Sequence, residues 1–377
     1  MHKSDCSTGL LRAQQGFTLI ELMIGLAVGL VTTLAITQIL LTSESQKRTT
    51  TSGSDAQVSG VLAMDTLRNS VQMAGYGFTS LPPANSILGC PLETKFKGSA
   101  VAGFAPNLVP VVITDGASSA PDSIRVLASS KASFSIPLTM TDPGYVAGNA
   151  TLGNAFPVAA STGAATNDIM VAATDPVGKC QVFQATSVAS NSVGRVDDTG
   201  WNSAGFPSNA FNAVSNSVII NMGQFSDVTY SVSPAGTLQF NRLVLAADFT
   251  PSYTGNVNLY SNIVNMQAYY GKAAATGAAV TVWDNFTPTT NADWLLVFAI
   301  RVAVVSRSDQ YEKTEVTTTD PLWDVGDGST ITGAATCGTS SCVTLKIPRA
   351  ANSTEWKHYR YKVFDSIIPL RNMLWSQ

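Results

Sequence analysis

An apolar run between Gly16 and Thr42 constrains this chain more strongly than any other feature of its sequence. Glu21 is the only ionisable side chain in the run, and no proline interrupts it. As an α-helix, at about 1.5 Å per residue, the run is longer than the ~30 Å hydrocarbon core of a bilayer. The sequence therefore predicts a transmembrane helix over residues 17–42.

The residues before this run are short and polar. They include the bases Lys3 and Arg12, which by the positive-inside rule hold the N-terminal side in the cytoplasm. A secretory signal peptide has its small-residue cleavage site after its apolar core, whereas the junction here, Gly16–Phe17, lies before it. Because cleavage there would leave the helix on the mature protein, we predict a leader over residues 1–16 and a large remainder beyond the membrane.

Glu21 is unusual, because a carboxylate inside hydrocarbon costs roughly 2.5–3.5 kcal/mol and intramembrane acids usually have a partner. After cleavage, the new amine of Phe17 would lie one helical turn away in the same chain or within reach from a neighbouring helix. The alternative is a glutamate that only snorkels at the membrane edge.

The string Gly16-Phe17-Thr18-Leu19-Ile20-Glu21-Leu22 resembles the class III signal of type IV prepilins. In that signal a glycine precedes the cut, phenylalanine is the first mature residue and glutamate is the fifth. The resemblance implies that prepilin peptidase cleaves between Gly16 and Phe17 and that Phe17 is N-methylated. It also implies that Glu21 pairs with the amine of an adjacent subunit during assembly.

The four cysteines that remain after the leader and its Cys6 are removed fit an exported protein: Cys90, Cys180, Cys337 and Cys342. An even number in an oxidising compartment predicts disulfides, with three connectivities open. The short spacing from Cys337 to Cys342 favours a local bridge, which would leave Cys90 to pair with Cys180. A four-cysteine zinc site is the alternative, but no Cys-x-x-Cys pair supports it.

A second helical stripe follows the membrane run. The threonines and glycine from Thr49 to Gly53 are poor helix formers, so a softened segment is expected there. Helical period then resumes in Val58, Val61, Met64, Leu67, Val71 and Ala74, and Gly75 is placed to end the helix. We predict a periplasmic continuation of the helix over residues 43–75 and a globular domain over residues 76–377.

The remainder is rich in small polar residues and turn signals, which predicts a large, mostly antiparallel β-rich domain and hence an α+β, pilin-like fold. Residues 294–306 are too short for a second span and contain Arg301, so we interpret them as a buried strand. Low-complexity disorder is the alternative for residues 147–167. Predicted strands cover 111–114, 123–128, 133–140, 169–173, 181–188, 217–222, 227–233, 237–244, 262–271 and 358–363.

Three later stretches resemble the minor pilin family PilW. They are Gln72-Met73-Ala74-Gly75-Tyr76-Gly77 with Leu67-Arg68 before it, Asn265-Met266-Gln267 with Tyr270-Gly271, and Tyr359–Phe364 with Pro369-Leu370-Arg371-Asn372. The resemblance implies a minor pilin that helps to initiate type IV pilus assembly and sits at the pilus tip. It implies an inner-membrane protein with its domain in the periplasm, later at the cell surface. The implied partners are other minor pilins, the major pilin, a tip adhesin, prepilin peptidase and inner-membrane lipid.

Two alternatives remain open at the level of sequence. A pseudopilin of the type II secretion system shares the leader, the helix and the β-domain plan. A membrane-tethered binding or hydrolytic domain would need convergent polar or titratable groups, and no nucleophile elbow, phosphate loop or His-x-x-His pair is present. We therefore predict a protein that is not an enzyme and needs no cofactor.

Charged side chains are scarce, at 12 % of residues with a net charge of −3, so no nucleic-acid partner is expected. The basic residues Lys346, Arg349, Lys357, Arg360, Lys362 and Arg371 are interpreted as a solvated strand edge near acids. Asp320, Asp324 and Asp327 could bind calcium with carbonyl help, but their spacing misses the EF-hand loop and favours an acidic turn.

Overall fold

The computed structural model describes residues 16–375, apart from residues 118–119, 133–134, 148–153, 175–177, 179, 198–199, 209, 213–215, 327–330 and 332–333. Residues 1–15, which hold most of the predicted leader with Lys3, Cys6 and Arg12, lie outside the described residues.

A single helix, α1 (Leu19–Met73), contains both stripes recognised in the sequence. Its first part, Leu19–Glu44, has a mean hydropathy of 2.3 and is long and apolar enough to cross a membrane. The helix assignment runs through Thr49–Gly53, so the segment is not a break; the softening expected there stays a prediction. Gly75 follows the helix with a φ of +78°, the left-handed conformation that was predicted to end it.

Strands are the main regular secondary structure after α1. They are β1 (Leu92–Glu93), β2 (Lys95–Phe96), β3 (Ser99–Ala100), β4 (Val111–Thr114), β5 (Ser123–Ala128), β6 (Leu138–Thr139), β7 (Ala155–Pro157), β8 (Ile169–Ala173), β9 (Cys180–Gln184), β10 (Ser187–Ala189), β11 (Ser192–Gly194), β12 (Val218–Gly223), β13 (Ser226–Val232), β14 (Thr237–Leu245), β15 (Pro251–Tyr253), β16 (Val257–Ser261), β17 (Ile263–Ala273), β18 (Val280–Asp284), β19 (Val297–Arg307), β20 (Leu322–Gly326), β21 (Ala335–Cys337), β22 (Ser340–Thr344) and β23 (Tyr361–Pro369). The short helices α2 (Asn291–Trp294) and α3 (Arg371–Leu374) and two 3-10 turns (Pro83–Asn85, Glu355–His358) complete the described elements.

Six sheets are present among the described residues. The largest have the orders β15-β14-β13-β5-β4 (with β16 also on β14), β1-β9-β8-β12-β6 and β18-β17-β19-β23. Three smaller ones are β10-β11-β7, β20-β22-β21 and β2-β3. All named strand pairs are antiparallel except β1 with β9, so the predicted apolar helix followed by a mostly antiparallel β-rich domain is confirmed.

The central strands β17 and β19 are apolar on both faces because both faces are covered. Met266 and Ile300 point into the main core, whereas Tyr269 and Ala303 belong to a second cluster that includes Trp323. That cluster lies between this sheet and the small sheet β20-β22-β21. Because both faces of the strand are covered, residues 294–306 are a nearly continuous apolar run. The buried strand predicted there is confirmed as β19.

The region over residues 81–199, whose sequence is the least informative, also has a packed core. Tyr145 stacks on Phe156 with ring centroids 4.1 Å apart, and Phe156 stacks on Phe183 at 4.4 Å. All three side chains are buried. The disorder alternative is therefore wrong for the part around Phe156, which forms β7 (Ala155–Pro157); residues 148–153 lie outside the described part.

Beyond Gly53, α1 is the element around which the main core forms. Ala63, Leu67, Val71 and Ala74 are fully buried with strand residues of the β-rich domain. Gly60 is also buried, because the ring of Phe364 lies against it. The apolar stripe predicted to need a globular partner therefore has one.

Two strand predictions need correction. His358 was predicted on a strand, but it ends the 3-10 turn Glu355–His358, and β23 begins only at Tyr361. The predicted strand over 133–140 is reduced to β6, because only Leu138 and Thr139 pair with β12; residues 133–134 are not described.

Candidate assembly site at the start of the membrane helix

Thr18 and Glu21 form a reciprocal cap at the first turn of α1. The backbone N–H and the hydroxyl of Thr18 donate to Oε2 of Glu21 at 3.0 and 2.9 Å, and the N–H of Glu21 donates to Oγ1 of Thr18 at 3.3 Å. Such a capping box satisfies N–H groups that a helix start leaves unpaired. These hydrogen bonds matter more in a bilayer than in solution, because the hydrocarbon core contains no water to bond the N–H groups instead.

The carboxylate of Glu21 is thereby held in place while one of its oxygens stays free. Both bonds from Thr18 go to Oε2, and Oε1 has no hydrogen-bond partner among the described residues. Phe17, the predicted first residue after cleavage, is 89 % exposed. The arrangement offers a fixed negative charge next to the position where a new amine would form.

The rest of the membrane segment presents an apolar surface with no partner among the described residues: none of Leu19–Glu44 is buried. The hydroxyls of Thr32, Thr33 and Thr37 donate to backbone carbonyls three or four residues earlier. These bonds satisfy the hydroxyl donors in an apolar medium. Nothing lies within 4 Å of a side chain added at Gly25 or Gly29, so another helix could approach closely there.

All four candidate disulfide cysteines are bonded in the structure. Cys90 is joined to Cys180 with 5.8 Å between their Cα atoms, and both are buried where β1 pairs with β9. Cys337 is joined to Cys342 with a Cα separation of 5.7 Å, across the turn between β21 and β22.

The PilW-like stretch around Gln267 connects β17 to the loop between β4 and β5. Gln267 Nε2 donates to the carbonyl of Ala120 at 2.7 Å, and the Ala268 N–H donates to the buried carboxylate of Asp122 at 2.8 Å. The Gly116 N–H donates to the same carboxylate. Burial raises the pKa of Asp122 to about 7 against these two hydrogen bonds, and Asp115 nearby adds to the rise.

Several of the basic residues noted in the sequence pair with acidic side chains. Both terminal nitrogens of Arg349 bind Asp320, at 2.9 and 2.8 Å, and Lys357 pairs with Glu315 at 3.2 Å. Although partial burial alone would raise it, the pKa of Asp320 is held below its usual value by the hydrogen bonds from Arg349 and from the Ile347 N–H. Asp327 is outside the described residues, and no group of acids, histidines or cysteines suited to a metal ion occurs among the described ones.

Sequence reasoning missed Thr18 as a site residue. The signal was available, since a threonine three residues before a glutamate at the start of an apolar run is the pattern of a capping box. It also missed the contact between Gly60 and Phe364, which joins residues about 300 positions apart and leaves no local signal.

Two family models match the chain. Residues 11–37 match the prokaryotic N-terminal methylation motif, which together with the apolar helix indicates a membrane-anchored pilus component. A methylation motif on an apolar helix that leads into a β-rich domain is similar to the plan of type IV pilins. Residues 230–372 match the family described as type IV pilus-assembly protein W, so the predicted resemblance to the PilW minor pilins is confirmed.

Among solved structures, the type IV-like pilin TTHA1219 from Thermus thermophilus is similar over 84 % of this chain and 97 % of its own, with 10 % sequence identity and a TM-score of 0.30. No curated protein matches the chain.

Proposed function

We propose that this protein is a minor pilin that takes part in the initiation of type IV pilus assembly. In this proposal, prepilin peptidase removes residues 1–16 and Phe17 is N-methylated. The mature chain waits in the inner membrane with residues 76–377 in the periplasm, and then joins other minor pilins, the major pilin and a tip adhesin. Its final position is the pilus tip, at the cell surface.

The observation that carries the proposal is the capped glutamate at the start of an unpaired apolar helix. A carboxylate in lipid is costly, and Glu21 has one oxygen without a partner among the described residues. The methylated amine of Phe17 in an adjacent subunit supplies the opposite charge. Neutralising both groups while apolar surfaces meet makes extraction from lipid and helix bundling a single step.

The match over residues 230–372 favours a pilus component over a pseudopilin of the type II secretion system. A hydrolytic role has less support, because the ionisable side chains noted above are engaged in structural pairs such as Arg349–Asp320.

The test uses a strain in which this chain, with a C-terminal tag, is the only copy. Mass spectrometry of the purified full chain should show an N-terminus at methylated Phe17. Loss of the gene should reduce the number of pili, and the tagged chain should be recovered in sheared pili in far lower amounts than the major pilin. An intact Met1 in the purified chain would contradict the proposal. Normal piliation after loss of the gene would also contradict it.

A further inference from the structure

One sheet edge differs from the other edges among the described residues. Every other edge strand has at most five residues, and three of them, β16, β18 and β20, also contain register shifts. Short or bulged edges protect a sheet from pairing with other chains. β23 has nine residues, all paired with β19 in one unbroken register.

The hydrogen-bond pattern shows which backbone groups of β23 face outward. Leu370 N donates to Phe298 O, and Ser308 N donates to Arg360 O. Both bonds lie in the register of the β19–β23 pair. The backbone N–H and C=O groups of the even-numbered residues of β23 therefore bond to β19, and those of the odd-numbered residues point away from β19. No hydrogen bond from the described residues reaches the outward N–H and C=O groups of Val363, Asp365 and Ile367.

Side chains along this edge define what could lie beside it. Ile367 is 53 % exposed, although it is aliphatic. Lys362 is exposed and has no acidic partner among the described residues, whereas its neighbours Lys357 and Arg360 each have one. Because the two residues are five positions apart, they lie on opposite faces of the sheet.

We propose that β23 is a docking edge where an extended segment of a different protein adds as a further strand. The segment would have an acidic residue opposite Lys362 and an aliphatic residue opposite Ile367, and these two would be five positions apart. Backbone hydrogen bonds would supply affinity, and the two side-chain contacts would supply specificity. The inference rests on the proposed function in placing this partner among the subunits of the pilus.

A second copy of β23 fits this edge poorly. Asp365 is the only acid in the strand, and its carboxylate already accepts from Arg301 at 3.1 Å and from the indole of Trp323 at 3.4 Å. A copy would therefore bring no free acid to Lys362. The edge of β23 therefore suits a segment of a different protein better than a second copy of this chain.

The test places a photoreactive benzoylphenylalanine at Ile367 in the full chain, in cells. The matched control has the same residue at Val257, an exposed aliphatic residue on the edge strand β16. Adducts are sequenced by mass spectrometry in three backgrounds: parent, Lys362→Glu and Lys362→Arg. Melting temperatures of the purified full-length variants confirm that the domain stays folded.

The expected result is an adduct at Ile367 with one segment of another protein, at least fivefold stronger than at Val257. It should fall at least fivefold in Lys362→Glu and persist in Lys362→Arg. The proposal is overturned by no excess over Val257, by no effect of Lys362→Glu in a folded variant, or by an adduct to a second copy. Processing at Phe17 and recovery in sheared pili are measured in parallel. If both are normal without an adduct, only this inference fails; an adduct from an unprocessed chain absent from pili contradicts the proposed function instead.

Discussion

The side-chain nitrogen of Asn372 donates a hydrogen bond to the carbonyl oxygen of Ala74, 2.9 Å away, and so caps the end of α1 from the opposite end of the chain. It also reaches the carbonyl of Met73 at 3.3 Å. The last carbonyls of a helix have no partner within it, and Ala74 is fully buried, so water does not replace this bond. The C-terminal PilW-like motif thus holds the helix on the domain.

Replacing Asn372 with Ala should therefore lower the free energy of unfolding of the full-length protein in detergent by about 1–3 kcal/mol, the cost of leaving a buried carbonyl unpaired. The matched control is Asn69→Ala, since the side chain of Asn69 bonds to Asp65 on the exposed side of the same helix. That change should stay within about 0.5 kcal/mol. Equal effects of the two changes in denaturant titrations would show that Asn372 is not a cap.

Gly60 should tolerate no larger side chain. A Cβ atom there would overlap the ring of Phe364, so Gly60→Ala requires the ring or the helix to move, at a cost of about 1–3 kcal/mol. Gly53→Ala in the same helix meets nothing within 4 Å and should stabilise by up to about 1 kcal/mol through helix propensity. Denaturant unfolding measures both changes. In a double-mutant cycle, Phe364→Leu should recover part of the loss, and additive effects would contradict the contact.

The contacts of Asn372 with Ala74 and of Gly60 with Phe364 join distant parts of the chain and could not be predicted from the sequence. Features that depend on near neighbours were predictable: the membrane run, the end of α1 at Gly75, and the strands over 227–233 and 237–244, which are observed as β13 and β14. Periodicity also predicted β4 and β5 at their observed bounds.

Features set by distant partners were not predictable. His358 alternates correctly for a strand, but the backbone around it bonds to the segment before β20, as Glu312 N does to His358 O. At the assembly site, the motif identified Glu21, but only the geometry shows that Thr18 holds it.

Asp122 should make stability depend on pH. Its pKa is about 7 in the folded protein and about 4 in an unfolded chain, so folding favours the protonated form. The stabilisation is complete below about pH 4 and is lost as the pH rises to about 7. Between pH 5 and pH 8, the parent should therefore lose about 2–3 kcal/mol more stability than Asp122→Asn, as measured by urea unfolding. Parallel pH profiles of the two proteins would show that this carboxyl does not titrate in that range.

The two disulfides should contribute unequally. In the loop-entropy model, the bridge between Cys90 and Cys180, 90 positions apart, contributes about 4–5 kcal/mol, and the five-position bridge between Cys337 and Cys342 about 2 kcal/mol. Paired alanine replacements should follow this order in denaturant unfolding. Non-reducing peptide mapping of the parent should show both bonds, and free thiols or bound zinc would refute the pairing.

The last prediction concerns Glu21. Glu21→Ala should leave membrane insertion intact or improve it, because a costly acid leaves the bilayer. Cleavage after Gly16 should persist, since the family resemblance places peptidase recognition chiefly on that glycine. Assembly should fail, because the amine of a neighbouring subunit is left unpaired in a medium of low dielectric. Glu21→Asp keeps the charge with a shorter reach and should give partial assembly.

Two controls separate the charge of Glu21 from its role as a helix cap. Glu21→Gln retains an oxygen that can accept from Thr18 but removes the charge, so it should assemble as poorly as Glu21→Ala. Thr18→Val removes the hydroxyl of the cap and leaves the charge, so it should assemble better than either. Membrane level, processing at Phe17 and piliation are measured side by side in strains whose only copy carries each change. Normal piliation with Glu21→Gln would mean that Glu21 serves the helix start alone, and that the domain from Gly53 onward directs incorporation.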